Sequence, residues 1–243
     1  SLHTNRYRAF GSWPATSPFV TAVGGTELSN PTLEPLGSAD PICEVVVRGG
    51  FGRGCASGAL PLSGERGEVA TSRAVSGFSS GGGFSWWFPV QSWQATVVKQ
   101  YTQQQRQLPP SRLWNDAGRG FPDVSSAAGN LAIFTNGAAW LGGGTSAAAP
   151  WWAGVWALAT SVSLQTTGKA LGPANPLLYH LASSQPECFR DIRLGDNKCP
   201  FGPVWQGKSC NCSSCEGFKA AKGWDPGSSL SSSLPLSLPP FLP

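Results

Sequence analysis

Charge is scarce in this chain. Only 12% of its 243 residues are Asp, Glu, Lys or Arg, too few for the charged surface of a coiled coil or a helical repeat. The 17 Lys and Arg outnumber the 13 Asp and Glu by a net charge of +4, but they are thinly spread. No basic run offers the footprint of a nucleic-acid binder, so no nucleic-acid partner is expected. Unbroken apolar runs are also missing. The longest uncharged stretch, Ala138 to Gly168, is interrupted by Gly, Ser, Thr, Gln and Pro150, which reads as a buried helix rather than a membrane span. Nor does Ser1 open a charged segment followed by an apolar one, so no secretory leader is visible and the sequence is expected to be a fragment.

What is abundant sets the class. With 40% hydrophobic residues and 11 Trp, the chain can bury a substantial core. Its 31 Gly and 21 Pro predict many turns and closely packed loops, and together these point to a mixed α/β domain. The seven cysteines are Cys43, Cys55, Cys188, Cys199, Cys210, Cys212 and Cys215. The C-x-C-x-x-C spacing of the last three allows a metal site but has no clean second pair. Disulfides in an oxidising compartment are the preferred reading, with one cysteine left unpaired or bonded outside the chain.

Along the chain, Phe19 to Leu28 reads as a short buried strand closed by a Gly-Gly turn. Residues 29–76 are rich in Pro, Gly, Ser and charge and are expected to form a surface loop stapled by Cys43 and Cys55. A polar, Gln-rich helix is predicted from Gln91 to Gln105, stopped by Pro109 and Pro110. Phe121 to Phe134 reads as a Pro-led turn and then a strand, followed by a turn at Gly137. From Ser146 to about Val162 small and apolar residues predict a helix packed on most sides, with Pro150 in its first turn. Beyond Pro226 the composition collapses to Ser, Leu and Pro, and residues 227–243 are expected to be extended or disordered.

Ser146 stands where a loop of three glycines, Gly142 to Gly144, meets that helix. Small neighbours let a substrate approach and the helix N-terminus favours negative charge, as a nucleophile requires. The local pattern fits a plain N-cap serine equally well. The run GGTSAAAP, Gly143 to Pro150, resembles the G-T-S-x-x-x-P signature of subtilisins and sedolisins. FVTAVGGTEL, the SSGGGFS of Ser79 to Ser85, the FP-x-x-SWQ of Phe88 to Gln94, the PDVS of Pro122 to Ser125, the DI-x-x-G from Asp191 and the GWDP ending at Pro226 all follow in the order and spacing of sedolisins. A subtilisin needs a His base before its serine, whereas His3 lies at the terminus and His180 lies downstream. The chain therefore resembles a sedolisin from about Trp13 to Pro226.

That resemblance implies a subtilisin-like α/β fold, a mainly parallel sheet flanked by helices, with its N-terminal part missing. Residues 1–226 would form the partial domain, with 29–76 an enlarged loop and 187–226 a calcium and cysteine-rich loop. Ser146 would be the catalytic nucleophile of an acid-acting peptidase on peptide or protein substrates. Its Glu/Asp base pair and oxyanion Asp belong to upstream motifs that do not occur before Phe19. Glu187 and Asp191 have the i, i+4 spacing of such a pair, but they follow the serine and are left out of the active site. The resemblance also implies one Ca2+ held by the carboxylates of Asp191 and Asp225 and the carbonyls of Ile192, Ala221 and Gly223, oxygen ligands that suit a hard cation. A secreted or lysosomal/vacuolar location, a disulfide to the missing N-terminal part, and a non-catalytic relic as the alternative function complete the expectations.

Overall fold

The computed structural model describes residues 11–28, 31–35, 59–64, 68–72, 76–129, 131–136, 138–198 and 216–230. A strand, β1 (Val23–Leu28), runs through the middle of the principal sheet. It pairs in parallel with β7 (Val124–Ala127), Val23 opposite Val124, and antiparallel with β4 (Glu68–Ala70). Three antiparallel pairs surround this sheet. They join β2 (Pro31–Pro35) to β3 (Ala59–Gly64), β5 (Gly83–Pro89) to β6 (Gly118–Phe121), and β8 (Leu131–Thr135) to β9 (Ala138–Gly142). The turn of the last hairpin holds Asn136 at φ +50°, a left-handed conformation that Asn tolerates.

Helix α1 (Ala95–Gln104) brings Val98 and Tyr101 into the same buried cluster as Phe84 of β5, and α2 (Thr145–Thr167) lies against β1 and β7. Helix α3 (Ala174–Ser184) leads into a single 3₁₀ turn, Pro186–Cys188. The mixed α/β class agrees with the sequence reading. Parallel pairing among the described residues is confined to β1 and β7.

Several local expectations change. Strands β2, β3 and β4 lie inside the segment read as a loop from 29 to 76, because paired backbone hydrogen bonds can organise a turn-rich sequence that has no clear period. The first helix begins at Ala95, not Gln91, since the Gln94 side chain is taken up elsewhere. Its amide donates to the Gly120 carbonyl at 3.0 Å and accepts from the Gly120 amide at 2.9 Å. Pro150 falls in the second turn of α2, where its ring removes an N–H that would otherwise reach back four residues. The expectation that α2 packs on most sides is overturned: only Ala148 and Trp152 are buried along it. The segment 227–230, placed in the disordered tail, is packed. Ser228, Ser229 and Leu230 are buried, and the Leu230 amide donates to the Asp123 carbonyl at 3.2 Å. Residues 231–243 lie outside the described residues.

The core is aromatic. Phe84 of β5 packs at ring distances of 4.8 Å from Trp114, 5.3 Å from Phe218 and 6.0 Å from Trp224, offset and edge-on contacts that suit ring quadrupoles. Val98 and Tyr101 of α1 close it from one side, and the Trp224 indole N–H reaches the Pro122 carbonyl at 2.8 Å.

Beside this core lies a buried polar network. Arg119 and Asp123, both fully buried, pair at 2.5 Å. The Ala22 amide donates to Asp123 at 2.8 Å and the Tyr179 hydroxyl at 3.1 Å, while Arg119 also donates to the Val20 carbonyl at 3.2 Å. Burial pushes the Asp123 carboxyl up, and the Arg119 guanidinium is the largest influence pulling it down. Asp123→Asn leaves a buried guanidinium without its counter-charge and is expected to cost about 3–5 kcal/mol. A urea titration that left the unfolding midpoint in place would show that the pair does not hold these segments.

Candidate active site

Ser146 is the second residue of α2 and is exposed. The backbone reaches it through two glycines. Gly144, the N-cap, sits at φ +137°, a region that favours glycine. A Cβ on Gly143 would lie 2.0 Å from the Ala128 carbonyl oxygen, so this position admits no side chain without displacing β7's continuation. The Gly144 amide then donates to that same carbonyl at 2.7 Å, and the Ala147 amide turns back to Gly144 at 2.9 Å. The loop is thereby clamped to the end of the parallel pair, with the serine projecting from a 23-residue helix that has no acidic residue in its first turn. Such an end favours negative charge near the hydroxyl. Among the described residues the hydroxyl makes no hydrogen bond, so no base is in contact with it.

A second cluster is built by the last described segment. Asp191 accepts from the Gly223 amide at 2.9 Å and pairs with Arg193 at 2.6 Å. Asp225 is fully buried and accepts from the amides of Ala221, Gly227 and Ser228 at 3.0, 2.7 and 2.7 Å. The Ser228 hydroxyl donates to Asp225 at 2.8 Å and lies 3.1 Å from the Ile192 carbonyl. The turn is tied to Asp191 through the Gly223 amide and to the Ile192 carbonyl through the Ser228 hydroxyl, and the contacts made by Ala221 and Gly223 are through their amides. Burial pushes the Asp225 carboxyl up to about 7, and it has no ion-pair partner among the described residues. The positive φ of this turn, +80°, falls on Gly223, so Ala221 needs no glycine conformation.

No family model matches the chain. Physarolisin of Physarum polycephalum is 36% identical over 214 residues, 88% of this chain and 34% of that protein. Tripeptidyl-peptidase sed1 of Aspergillus fumigatus is 32% identical, over 88% of this chain and 28% of its own length. Pseudomonas sedolisin, a serine-carboxyl proteinase solved with pseudo-iodotyrostatin, superposes with a TM-score of 0.51 at 26% identity. The superposition covers 94% of this chain and 48% of that one.

The chain belongs to the sedolisin family.

It spans about a third of the length of these curated sedolisin relatives. The Glu187 and Asp191 pair does not share a helix face in this sedolisin chain: Glu187 lies in the 3₁₀ turn and Asp191 in the extended segment after it. His180 is exposed in the middle of α3, with its backbone carbonyl accepting from the Ser183 and Ser184 hydroxyls. Cys188 is a buried free thiol. The other six cysteines and His3 lie outside the described residues. Among the described residues no three His, Cys, Asp or Glu side chains gather as a metal site. No described helix is long and apolar enough to cross a membrane.

Sequence reading missed Glu27. It occupies a buried position of β1, where its carboxylate accepts from the Ser72 amide at 3.0 Å, the Ser72 hydroxyl at 2.7 Å and the Ser76 hydroxyl. Its only signal was a charge inside an otherwise apolar, glycine-rich strand. A Cβ added at Gly129 would lie 3.1 Å from the Glu27 Cβ, and one added at Gly143 would lie 3.2 Å from the Gly129 Cα, so Gly129 stands between the acid and the loop that carries Ser146. Burial pushes the Glu27 carboxyl up against the pull of its serine donors. A carboxyl raised on folding adds stability that is complete below about 4.5 and is lost as pH rises through its folded value. Glu27→Gln is therefore expected to flatten the fall in Tm on going from acid to neutral pH, as read by calorimetry. Parallel profiles for the two proteins would remove Glu27 as the source.

Proposed function

We propose that this chain is the nucleophile-bearing part of a serine-type peptidase that cuts peptide or protein substrates at acid pH. The observation that carries the reading is Ser146, exposed at the head of α2 and clamped by Gly143 and Gly144 to the end of β7. Its oxygen forms a bond to the scissile carbonyl carbon and its proton passes to a base. The carbonyl electron pair moves to oxygen, and collapse expels the amine, which takes the proton and leaves an acyl-serine for water to hydrolyse. Sedolisins use a Glu/Asp pair for this proton and an Asp in the oxyanion hole, and the reading requires such groups beside Ser146. Two carboxylates sharing one proton suit acid pH. Secretion or delivery to a lysosome or vacuole matches such chemistry. In the longest polypeptide that carries this chain, Ser146→Ala is expected to reduce peptide hydrolysis at acid pH by roughly a million-fold. Retained hydrolysis would discard Ser146 as the nucleophile. Absence of hydrolysis in the unsubstituted protein would favour the second reading, a non-catalytic sedolisin-like binding protein.

The turn around Asp225 would hold one Ca2+ through the carboxylates of Asp191 and Asp225 and the carbonyls of Ile192, Ala221 and Gly223. The donor set is all oxygen, and a buried carboxylate without a counter-cation fits that use. The ion would fix the loop and take no part in bond breaking. At a hundredfold excess over its dissociation constant, Ca2+ is expected to add about 2.7 kcal/mol of stability, read as a rise in Tm reversed by a chelator. Asp191→Asn, at a half-buried position that tolerates change, should remove the rise. A Tm indifferent to both ion and substitution would exclude the site.

A further inference from the structure

Glu27 is a buried acid to which the proposed chemistry gives no task. It is 2% exposed on β1, and both carboxyl oxygens are taken. One accepts from the amide and the hydroxyl of Ser72, the other from the Ser76 hydroxyl. The Ser76 amide donates to the Ser72 carbonyl at 2.9 Å, so the carboxyl closes a turn, residues 72–76, from both of its ends. Thr71, just before the turn, donates its amide and its hydroxyl to the Gly25 carbonyl, each at 3.2 Å. The segment is thus tied to β1 by polar contacts alone, and Glu27 accepts most of them.

That turn bears on the loop of Ser146 through two glycines. A Cβ added at Gly129 would lie 1.9 Å from the Ser76 hydroxyl oxygen, and Gly129 is itself the neighbour of Gly143. A Cβ added at Gly25 would lie 3.3 Å from the Thr71 methyl and 3.5 Å from the methyl of Thr145, the first residue of α2. The backbone runs the same way. The Ala128 amide donates to the Thr26 carbonyl at 2.9 Å, and the Ala128 carbonyl accepts from the Gly144 amide at 2.7 Å. Close-packed interiors transmit strain, and glycine has no side chain that could turn aside to absorb a shift of Ser76.

We propose that Glu27 is a positioning residue for Ser146: with Ser72 and Ser76 it braces Gly25 and Gly129 behind the loop of Gly143 and Gly144, and so fixes where the hydroxyl stands. The use of that hydroxyl rests on the peptidase reading, whereas the brace does not. The brace is strongest in acid. Glu68 of β4 accepts from the hydroxyl of Thr26, whose side chain alternates to the other face of β1. Strand β7, the hairpin of β8 and β9 and the head of α2 carry no charged residue. Arg73, within the turn, lies outside the described residues, and among the described residues no cation pairs with Glu27. Burial raises its carboxyl above 4.5, so the closed turn favours the neutral form. Opening returns the carboxyl to water and becomes easier as pH rises from that value.

The test is amide hydrogen exchange of the full chain, read residue by residue by NMR. The Gly144 amide reports on the loop, and the Leu230 amide, bonded to the Asp123 carbonyl at 3.2 Å, reports on global unfolding. After correction for the intrinsic pH dependence of exchange, protection at Gly144 is expected to fall several-fold between about pH 4 and about pH 7. It should stay level in Glu27→Gln, which keeps the shape of the neutral carboxyl. Ser76→Ala truncates a half-buried hydroxyl and is expected to lower protection at Gly144 several-fold at both ends of that range, with a smaller change at Leu230. In the longest polypeptide that carries this chain, Ser76→Ala should lower kcat several-fold and leave KM nearly as it was, because a misplaced nucleophile still binds substrate but attacks it slowly. Parallel changes at Gly144 and Leu230 would reduce Glu27 to a group that only stabilises the fold, and would overturn the inference. So would a Gly144 profile that neither substitution moves, or an active protein whose kcat ignores Ser76→Ala. If the polypeptide hydrolyses nothing while Gly144 responds as expected, the brace stands and the peptidase reading alone fails.

Discussion

Asp123 occupies the meeting point of three chain segments, and its charge forces them to meet in one arrangement. The residues before β1 arrive through the Ala22 amide, β6 through Arg119, and α3 through the Tyr179 hydroxyl. A buried carboxylate is tolerable only when paired and fully hydrogen-bonded, so none of the three can shift without orphaning it. Gln94 extends the same constraint, since its amide links β6 and the Tyr179 hydroxyl to the start of α1. The parallel register of β1 and β7 follows, because Asp123 directly precedes β7 while Ala22 directly precedes β1.

The nucleophile loop depends on that register. Gly144 is hydrogen-bonded to the Ala128 carbonyl just past the end of β7, and Gly143 lies too close to that oxygen to carry a side chain. The aromatic core then fixes the other end of the fold. Trp224 and Phe218 insert beside Phe84, which draws the turn from Ala221 to Asp225 onto the sheet and buries Asp225. The two clusters with chemical content are thus both held by ties to the segment from Pro122 to Ala128.

The motifs that were legible were those whose chemistry is local. Gly143, Gly144 and Ser146 announce a loop-to-helix junction by residue type alone, and the sedolisin motifs were readable because they keep their order. Strands β2 to β4 were not legible, since their sequence has neither the alternation nor the β-branched content of an ordinary strand. Glu27 was missed for a related reason: a single charge in a strand looks like a solvent-facing residue until Ser72 and Ser76 are seen around it.

The sequence by itself determined the family and the position of Ser146 at the head of a helix, because both rest on residue types at short spacing. Only the tertiary structure decided which carboxylates are buried, that residues 227–230 belong to the core, and that α2 leaves a whole apolar side open. Those properties depend on which distant segments come together. An uncharged helix reads the same in sequence whether both its sides are covered or one, and only the placement of β1 and β7 against Trp152 distinguishes the two cases.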